Sequence, residues 1–127
     1  MPSLTHLDRN GSIAFYRRFH VELLRGGMNR LLLRAMPTPA APTRVEVMFQ
    51  YVQHMNMPLA FDVLSIHDIT EENDEKVRYA ELLKRSHCRI FRLDSNGLTV
   101  GRILAAACAC GEDGATADAP SMFAMMT

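Results

Sequence analysis

The sequence lacks a surplus of charge of either sign and a long apolar run. Its 14 Lys and Arg balance its 14 Asp and Glu. Neutralising a phosphate backbone takes a surplus of Lys and Arg, so this balance argues against nucleic acid as the main partner. The longest weakly polar run, residues 98–110, is interrupted by Gly101 and Arg102. Because a helix needs roughly 20 apolar residues to cross a bilayer, we expect no membrane span.

The cysteines and histidines form no recognisable catalytic or metal-binding motif. Three Cys are an odd number, so we expect Cys88, Cys108 and Cys110 to be reduced thiols rather than a disulfide framework. The five His are scattered, without His-Glu-x-x-His or paired Cys-x-x-Cys. His87 precedes Cys88, but neighbours on a helix point about 100° apart. A buried thiol is therefore preferred, and a small helical regulator or enzyme using Cys88 and His87 stays as an alternative.

Arginine is concentrated in the first part of the chain. Residues 1–50 hold seven Arg against three acidic residues, whereas acidic residues collect between Asp68 and Glu75. A single Arg on a helix usually belongs to a solvated face, but a one-sided basic face can steer an acidic partner. The distribution therefore favours a binding role for the N-terminal part.

The first half of the chain has the spacing of an amphipathic helix followed by a break. Ser12 is a candidate N-cap for a helix over residues 13–24, where apolar residues recur at helical spacing. Gly26-Gly27 predicts the end of this helix. The Pro-rich residues 37–42 cannot continue a helix and predict an extended connection.

The second half also reads as helical. Thr43 and Glu46 match a capping box at the start of a helix. Its apolar stripe comprises Val45, Met48, Phe49, Val52 and Met55. A further helix is expected to open at Thr70, with acidic residues in its first turns, and to end at the turn-forming residues 94–97.

These patterns predict an all-α fold, an antiparallel helical bundle. We divide the chain into an extended lead-in over residues 1–11, a helical domain over 12–97 and a C-terminal extension over 98–127. The extension ends in the apolar run Met122-Phe123-Ala124-Met125-Met126 after a polar stretch. Since an apolar end on a polar tether is unfavourable in water, we expect the extension to dock on neighbouring subunits.

Several segments, in their order and spacing, resemble the LYR-motif proteins. They are Phe15-Tyr16-Arg17, Val45–Phe49, His54, Pro58, Asp62–Ile66, Glu71-Glu72 and Lys84–His87. The resemblance is greatest to the small LYR accessory subunit on the peripheral arm of mitochondrial respiratory complex I. Phe15 stands where the family has Leu, and the residues after Asp94 have no clear counterpart. The resemblance implies an antiparallel three-helix LYR-type bundle with short extra helices and an extended C-terminal tail.

The resemblance also implies a function. The chain would be a non-catalytic accessory subunit of complex I, the NADH dehydrogenase of the electron transport chain, on the matrix side of the mitochondrial inner membrane. Its partners would be the mitochondrial acyl carrier protein and other subunits of the peripheral arm. It would have no cofactor of its own and would receive the carrier's acyl-4′-phosphopantetheine arm between its helices. The alternative is an LYR-type assembly factor for another respiratory complex or for iron–sulfur cluster insertion.

Five residues would bind the carrier protein and its arm if the resemblance holds. Tyr16 would face the carrier, Arg17 and Arg18 would face its acidic surface, and Phe49 would pack near the arm. Phe15 completes the motif. Plain core packing is the alternative interpretation of the three aromatic residues.

Overall fold

The chain folds as a sheet protein. The computed structural model describes residues 4–23, 29–116 and 119–123. Its strands are β1 (Leu4–His6), β2 (Ser12–Leu23), β3 (Leu31–Ala35), β4 (Arg44–Gln50), β5 (His54–Asn56), β6 (Ala60–Asp68), β7 (Arg89–Ser95), β8 (Leu98–Ala105) and β9 (Ala107–Asp113). The predicted all-α, LYR-type helical bundle is therefore wrong. The complex I and mitochondrial assignments came from a resemblance that implies a helical bundle, so the observed sheet does not support them.

The sheet closes on itself. Within the described residues, the sheet has nine antiparallel strands in the order β1-β9-β4-β3-β2-β6-β7-β8-β5. β8 and β9 are two halves of one strand that bends at Ala106, and β9 pairs with β4 while β8 pairs with β7. The Ala106 N–H donates to the Gln50 carbonyl at 2.8 Å, and the Gln53 N–H donates to the Leu104 carbonyl at 2.7 Å. The continuous β8–β9 strand therefore links β4 on one side to β7 on the other, and this link closes the sheet.

Two short helices connect β6 to β7. They are α1 (Asn73–Arg78) and α2 (Ala80–Arg85). The helix expected to open at Thr70 is confirmed in part. Helical structure is present but begins at Asn73, and it ends at Arg85, after which the chain enters β7. No helix in the described part of the chain has the length and apolar character needed to cross a membrane.

The turn predicted at residues 94–97 is confirmed, although it joins two strands. Asn96 and Gly97 have φ angles of 51° and 79° and lie between β7 and β8. Positive φ at both central residues suits a two-residue hairpin turn, whose twist matches that of the flanking strands. The predicted domain boundary at residue 97 falls in this turn, and residues 98–113 belong to the sheet.

Strand β4 shows why the helical interpretation failed. Its inward residues are Val45, Val47 and Phe49, and its outward residues are Arg44, Glu46 and Met48. This is an alternation with the period of two typical of a strand. The helical spacing joined Val45 to Met48, which lie on opposite faces. Glu46, predicted to cap a helix, is at mid-strand with its side chain outward.

The core lies inside the closed sheet and is rich in aromatic rings. Phe19, Phe49, Phe61 and Phe91 are each no more than 1% exposed. Burying a side chain of this size contributes about 1.5–3 kcal/mol. Strand β1 lies in the predicted extended lead-in over residues 1–11, and it pairs with β9. The helix end predicted at Gly26-Gly27 lies outside the described residues.

Candidate functional site

The two phenylalanines of the predicted carrier site lie in the interior. Phe49 is fully buried, and its ring meets that of Phe91 edge to face at 5.3 Å between centroids. Phe15 packs against the same core, with its ring 5.4 Å from that of Phe19. Both match the core interpretation that the sequence left open.

The other three predicted residues, Tyr16, Arg17 and Arg18, lie in three different environments. Tyr16 is 86% exposed on the outside of β2. Arg18 forms an exposed ion pair with Asp62 at 2.7 Å. Arg17 instead donates to the carbonyls of Met36, at 3.1 Å, and Thr43, and so holds the loop between β3 and β4. The structure does not bring the five residues together into one slot.

Buried charge identifies a different site, on the outer face of β3, β4 and β9. Three cross-strand rows occupy this face: Leu32, Met48 and Ala109; Arg34 and Glu46, beside Gly111; and Arg44 with Asp113. Glu46 is 0% exposed and Arg44 is 1% exposed. Charges buried this deeply on the outside of a sheet need a cover, and residues 119–123 supply it. We call the three rows the tail site and residues 119–123 the tail segment.

Arg44 binds the main chain of the tail segment. Its Nη1 donates to the Ala119 carbonyl at 2.9 Å, and its Nη2 donates to the Pro120 carbonyl at 3.1 Å. Its Nε and Nη2 also contact the two carboxylate oxygens of Asp113 at 3.1 and 2.7 Å. This hydrogen-bonded fork raises the pKa of Arg44 against the effect of its burial, and it lowers the pKa of Asp113. Both groups are therefore charged at neutral pH.

Glu46 binds the next two residues of the segment. Its Oε1 accepts hydrogen bonds from the Met122 N–H at 2.8 Å and from the Ser121 hydroxyl at 2.9 Å. Its Oε2 faces Arg34 at 2.7 Å, and Arg34 also reaches Glu22 at 2.8 Å. Burying a carboxylate is costly unless it is paired and hydrogen-bonded, and both conditions hold for Glu46.

An apolar pocket receives the end of the tail segment. Phe123 is fully buried against the row formed by Leu32, Met48 and Ala109, and Met122 packs at its edge. The Phe123 carbonyl accepts a hydrogen bond from Arg30 at 3.4 Å. The tail site thus recognises carbonyls, an amide, a hydroxyl and one aromatic ring.

A second polar cluster lies on β2, β6 and β7. The Ser12 hydroxyl is 2.7 Å from Nδ1 of His67, whose Nε2 lies 3.2 Å from Asp94. These are the residue types of a hydrolytic triad, in which the carboxylate orients the imidazole. Asp94 is also held by Arg92 at 3.1 Å and by the Thr99 hydroxyl at 3.0 Å. Since several partners share its charge, the cluster is better explained as cross-strand pairing.

The thiols do not support the alternative in which Cys88 is a nucleophile. Cys88 is buried beside Ile90, whereas His87 is exposed. Cys108 and Cys110 face the interior, where burial raises the pKa of both thiols. A reactive cysteine needs a partly exposed, positive setting. Among the residues that the structure describes, no group of three or more His, Cys, Asp or Glu is placed to hold a metal ion.

One sequence signal pointed toward the tail site. The apolar end predicted that the extension docks, with neighbouring subunits as the surface. The described part of that end, Met122 and Phe123, lies on the chain's own sheet, and Met125-Met126 lie outside the described residues. The partners Arg44 and Glu46 were missed because charged residues ordinarily indicate a solvated face.

No protein family, curated protein or solved structure matches the chain. The tail site is therefore assigned a role from its geometry alone.

Proposed function

We propose that this protein is a peptide-binding module. The tail site holds a short extended peptide on the outside of the closed sheet, and the chain's own tail segment is its resident ligand. The observation that carries the proposal is Glu46, a fully buried carboxylate with one oxygen on Arg34 and the other on the segment.

Main-chain contacts give the tail site a general capacity for peptides. Arg44 meets two successive carbonyls, and Glu46 meets the amide of Met122. Any extended peptide presents such groups, and hydrogen bonds to charged partners each contribute about 1.5–3 kcal/mol. These contacts set affinity and direction without selecting a sequence.

Side-chain contacts supply selectivity. The Ser121 hydroxyl shares Glu46 Oε1 with the Met122 amide, and the Phe123 ring fills the pocket two residues further on. Aromatic anchors in desolvated pockets commonly dominate the energy of such interfaces. The tail site therefore combines a polar anchor and an aromatic anchor at fixed spacing.

The test uses the full chain with its own segment weakened by Phe123→Ala. A fluorescent synthetic peptide with the sequence of residues 115–127 is titrated against this variant and binding is followed by anisotropy. We expect saturable binding, because the peptide restores the missing ring. The matched peptide with Ala at the Phe position should bind at least about tenfold more weakly, from the burial energy of one ring.

A site variant completes the design. Adding Glu46→Gln to Phe123→Ala should abolish peptide binding, whereas adding Asp62→Asn, in the exposed Arg18 pair, should leave it unchanged. Equal binding of both peptides, or binding that survives Glu46→Gln, would overturn the proposal.

The acyl-carrier role remains an untested prediction. Tyr16 and Arg18 are exposed for a partner, but Phe49 is buried in the core and Arg17 is engaged with a loop. No observation on the sheet favours that role over peptide binding.

A further inference from the structure

The tail segment competes with any external ligand for the same site. We propose that it is an intramolecular competitor. The external ligand is an extended segment of another protein that is uncharged where it contacts the site and has a hydroxyl residue two positions before an aromatic residue. This inference rests on the proposed function and goes further, because it names the ligand and makes its binding conditional on release of the tail segment.

The connection to the sheet makes the competitor strong. β9 ends at Asp113, and only residues 114–118 separate it from the tail segment. A tether this short holds a ligand at an effective concentration on the order of millimolar. An external peptide at micromolar concentration therefore binds mainly to the fraction of molecules whose segment has left. Its apparent affinity falls in proportion to that fraction.

Charge at the site defines the ligand. The hydroxyl of Ser121 donates to Glu46, so an acidic residue at that position would place a second carboxylate against a fully buried one. Like charges in a desolvated site repel strongly. Arg44 is already paired with Asp113, and it also donates from Nη1 and Nη2 to carbonyls. The site thus accepts a neutral segment with a hydroxyl donor.

Shape defines the other half of the ligand. The pocket floor is the row of Leu32, Met48 and Ala109. It is the next row on the same face of the sheet after the Arg34–Glu46 row. Phe123 reaches it two residues after Ser121, and no part of its side chain remains exposed. An aromatic residue at this spacing fills the pocket, whereas a small one leaves it open.

The same contact provides a way to release the segment. Ser121→Asp puts a carboxylate next to Glu46, whereas Ser121→Ala removes one hydrogen bond and adds no charge. The first change should open the site much more than the second. This pair of variants therefore tests the charge rule without altering the aromatic anchor.

The experiment measures binding of the synthetic 115–127 peptide to four full-length proteins: the native chain, Phe123→Ala, Ser121→Asp and Ser121→Ala. Circular dichroism and thermal unfolding check that each is folded. We expect Phe123→Ala and Ser121→Asp to bind the peptide at least about tenfold more tightly than the native chain. The affinity of Ser121→Ala for the peptide should lie between that of the native chain and that of these two variants. A peptide carrying Asp in place of its Ser should bind poorly to all four.

The outcomes separate the two proposals. No binding to either opened variant would overturn the peptide-binding function itself. Equal binding to the native chain and the opened variants would leave that function standing and overturn the competitor. Tight binding of the Asp-containing peptide would overturn the ligand class. If Phe123→Ala is unfolded, Ser121→Asp gives the same comparison.

Discussion

Truncating Phe123 isolates the energy with which the tail segment is held. The ring is fully buried against Leu32, Met48 and Ala109. Burying a Phe side chain contributes about 1.5–3 kcal/mol. At roughly 1.4 kcal/mol per factor of ten, Phe123→Ala should shift the docking equilibrium about 10- to 150-fold toward the open form. The free energy of unfolding should fall by less than the 3–5 kcal/mol typical of Phe→Ala in a closed core, because the segment can detach rather than enclose a cavity.

Hydrogen exchange at one amide reports this equilibrium. The Met122 N–H donates to Glu46 only when the segment is docked. Its protection, measured by NMR, should therefore fall about 10- to 150-fold in Phe123→Ala, while amides of β4 keep theirs. Leu98→Ala is the matched control, since Leu98 is 71% exposed and its truncation should change neither quantity. Unchanged protection of Met122, or a loss of protection spread equally over the whole sheet, would refute the reasoning.

Three further predictions concern packing, pH and the thiols. A Cβ on Gly101 would overlap the Asn56 carbonyl, so Gly101→Ala should lower the free energy of unfolding by about 1–3 kcal/mol in urea titrations. Gly114→Ala is the control and should be neutral, because its Cβ meets no atom within 4 Å. Equal effects of the two substitutions would contradict this prediction. The Arg44 hydrogen bond lowers the pKa of Asp113, so this pair stabilises the fold above the ordinary Asp range and stops doing so as pH falls through the lowered pKa. Asp113→Asn should therefore be less stable at neutral pH and lose less stability on acidification, and parallel stability–pH curves would disprove it. The three cysteines should react with a thiol reagent slowly in the native protein and quickly in denaturant, and one fast thiol before unfolding would revive the nucleophile hypothesis.

The fold was only partly predictable from the sequence. The turn at residues 94–97 and the helical region after Thr70 were recognised because Asn-Gly and a cluster of acidic residues act locally. The strands were missed because short apolar runs fit both periods. In β4, Val45, Val47 and Phe49 alternate with Arg44, Glu46 and Met48 as the two faces of a strand do. Because Met48 is also apolar, Met48 and Phe49 follow Val45 by three and four residues, which is helical spacing.

The tail site depends on pairings that the sequence does not display. Arg44 and Asp113 are 69 residues apart, and Glu46 and Ser121 are 75 apart. Each is polar, and polarity alone predicts a solvated position. Only the register between β4 and β9, followed by the return of the chain over them, brings these groups together and buries them. The apolar Met122-Phe123 pair was the one local signal. It predicted that the extension docks, but it did not identify the surface on which it docks.

The most direct test of the tail site is a nuclear Overhauser spectrum of the native full-length protein, focused on the Phe123 ring. We predict cross-peaks from this ring to the side chains of Leu32 and Met48, with ring-current-shifted methyl signals that return toward ordinary values in Ser121→Asp. A Phe123 ring with random-coil shifts and no contacts to those two residues would contradict the docking of the tail segment.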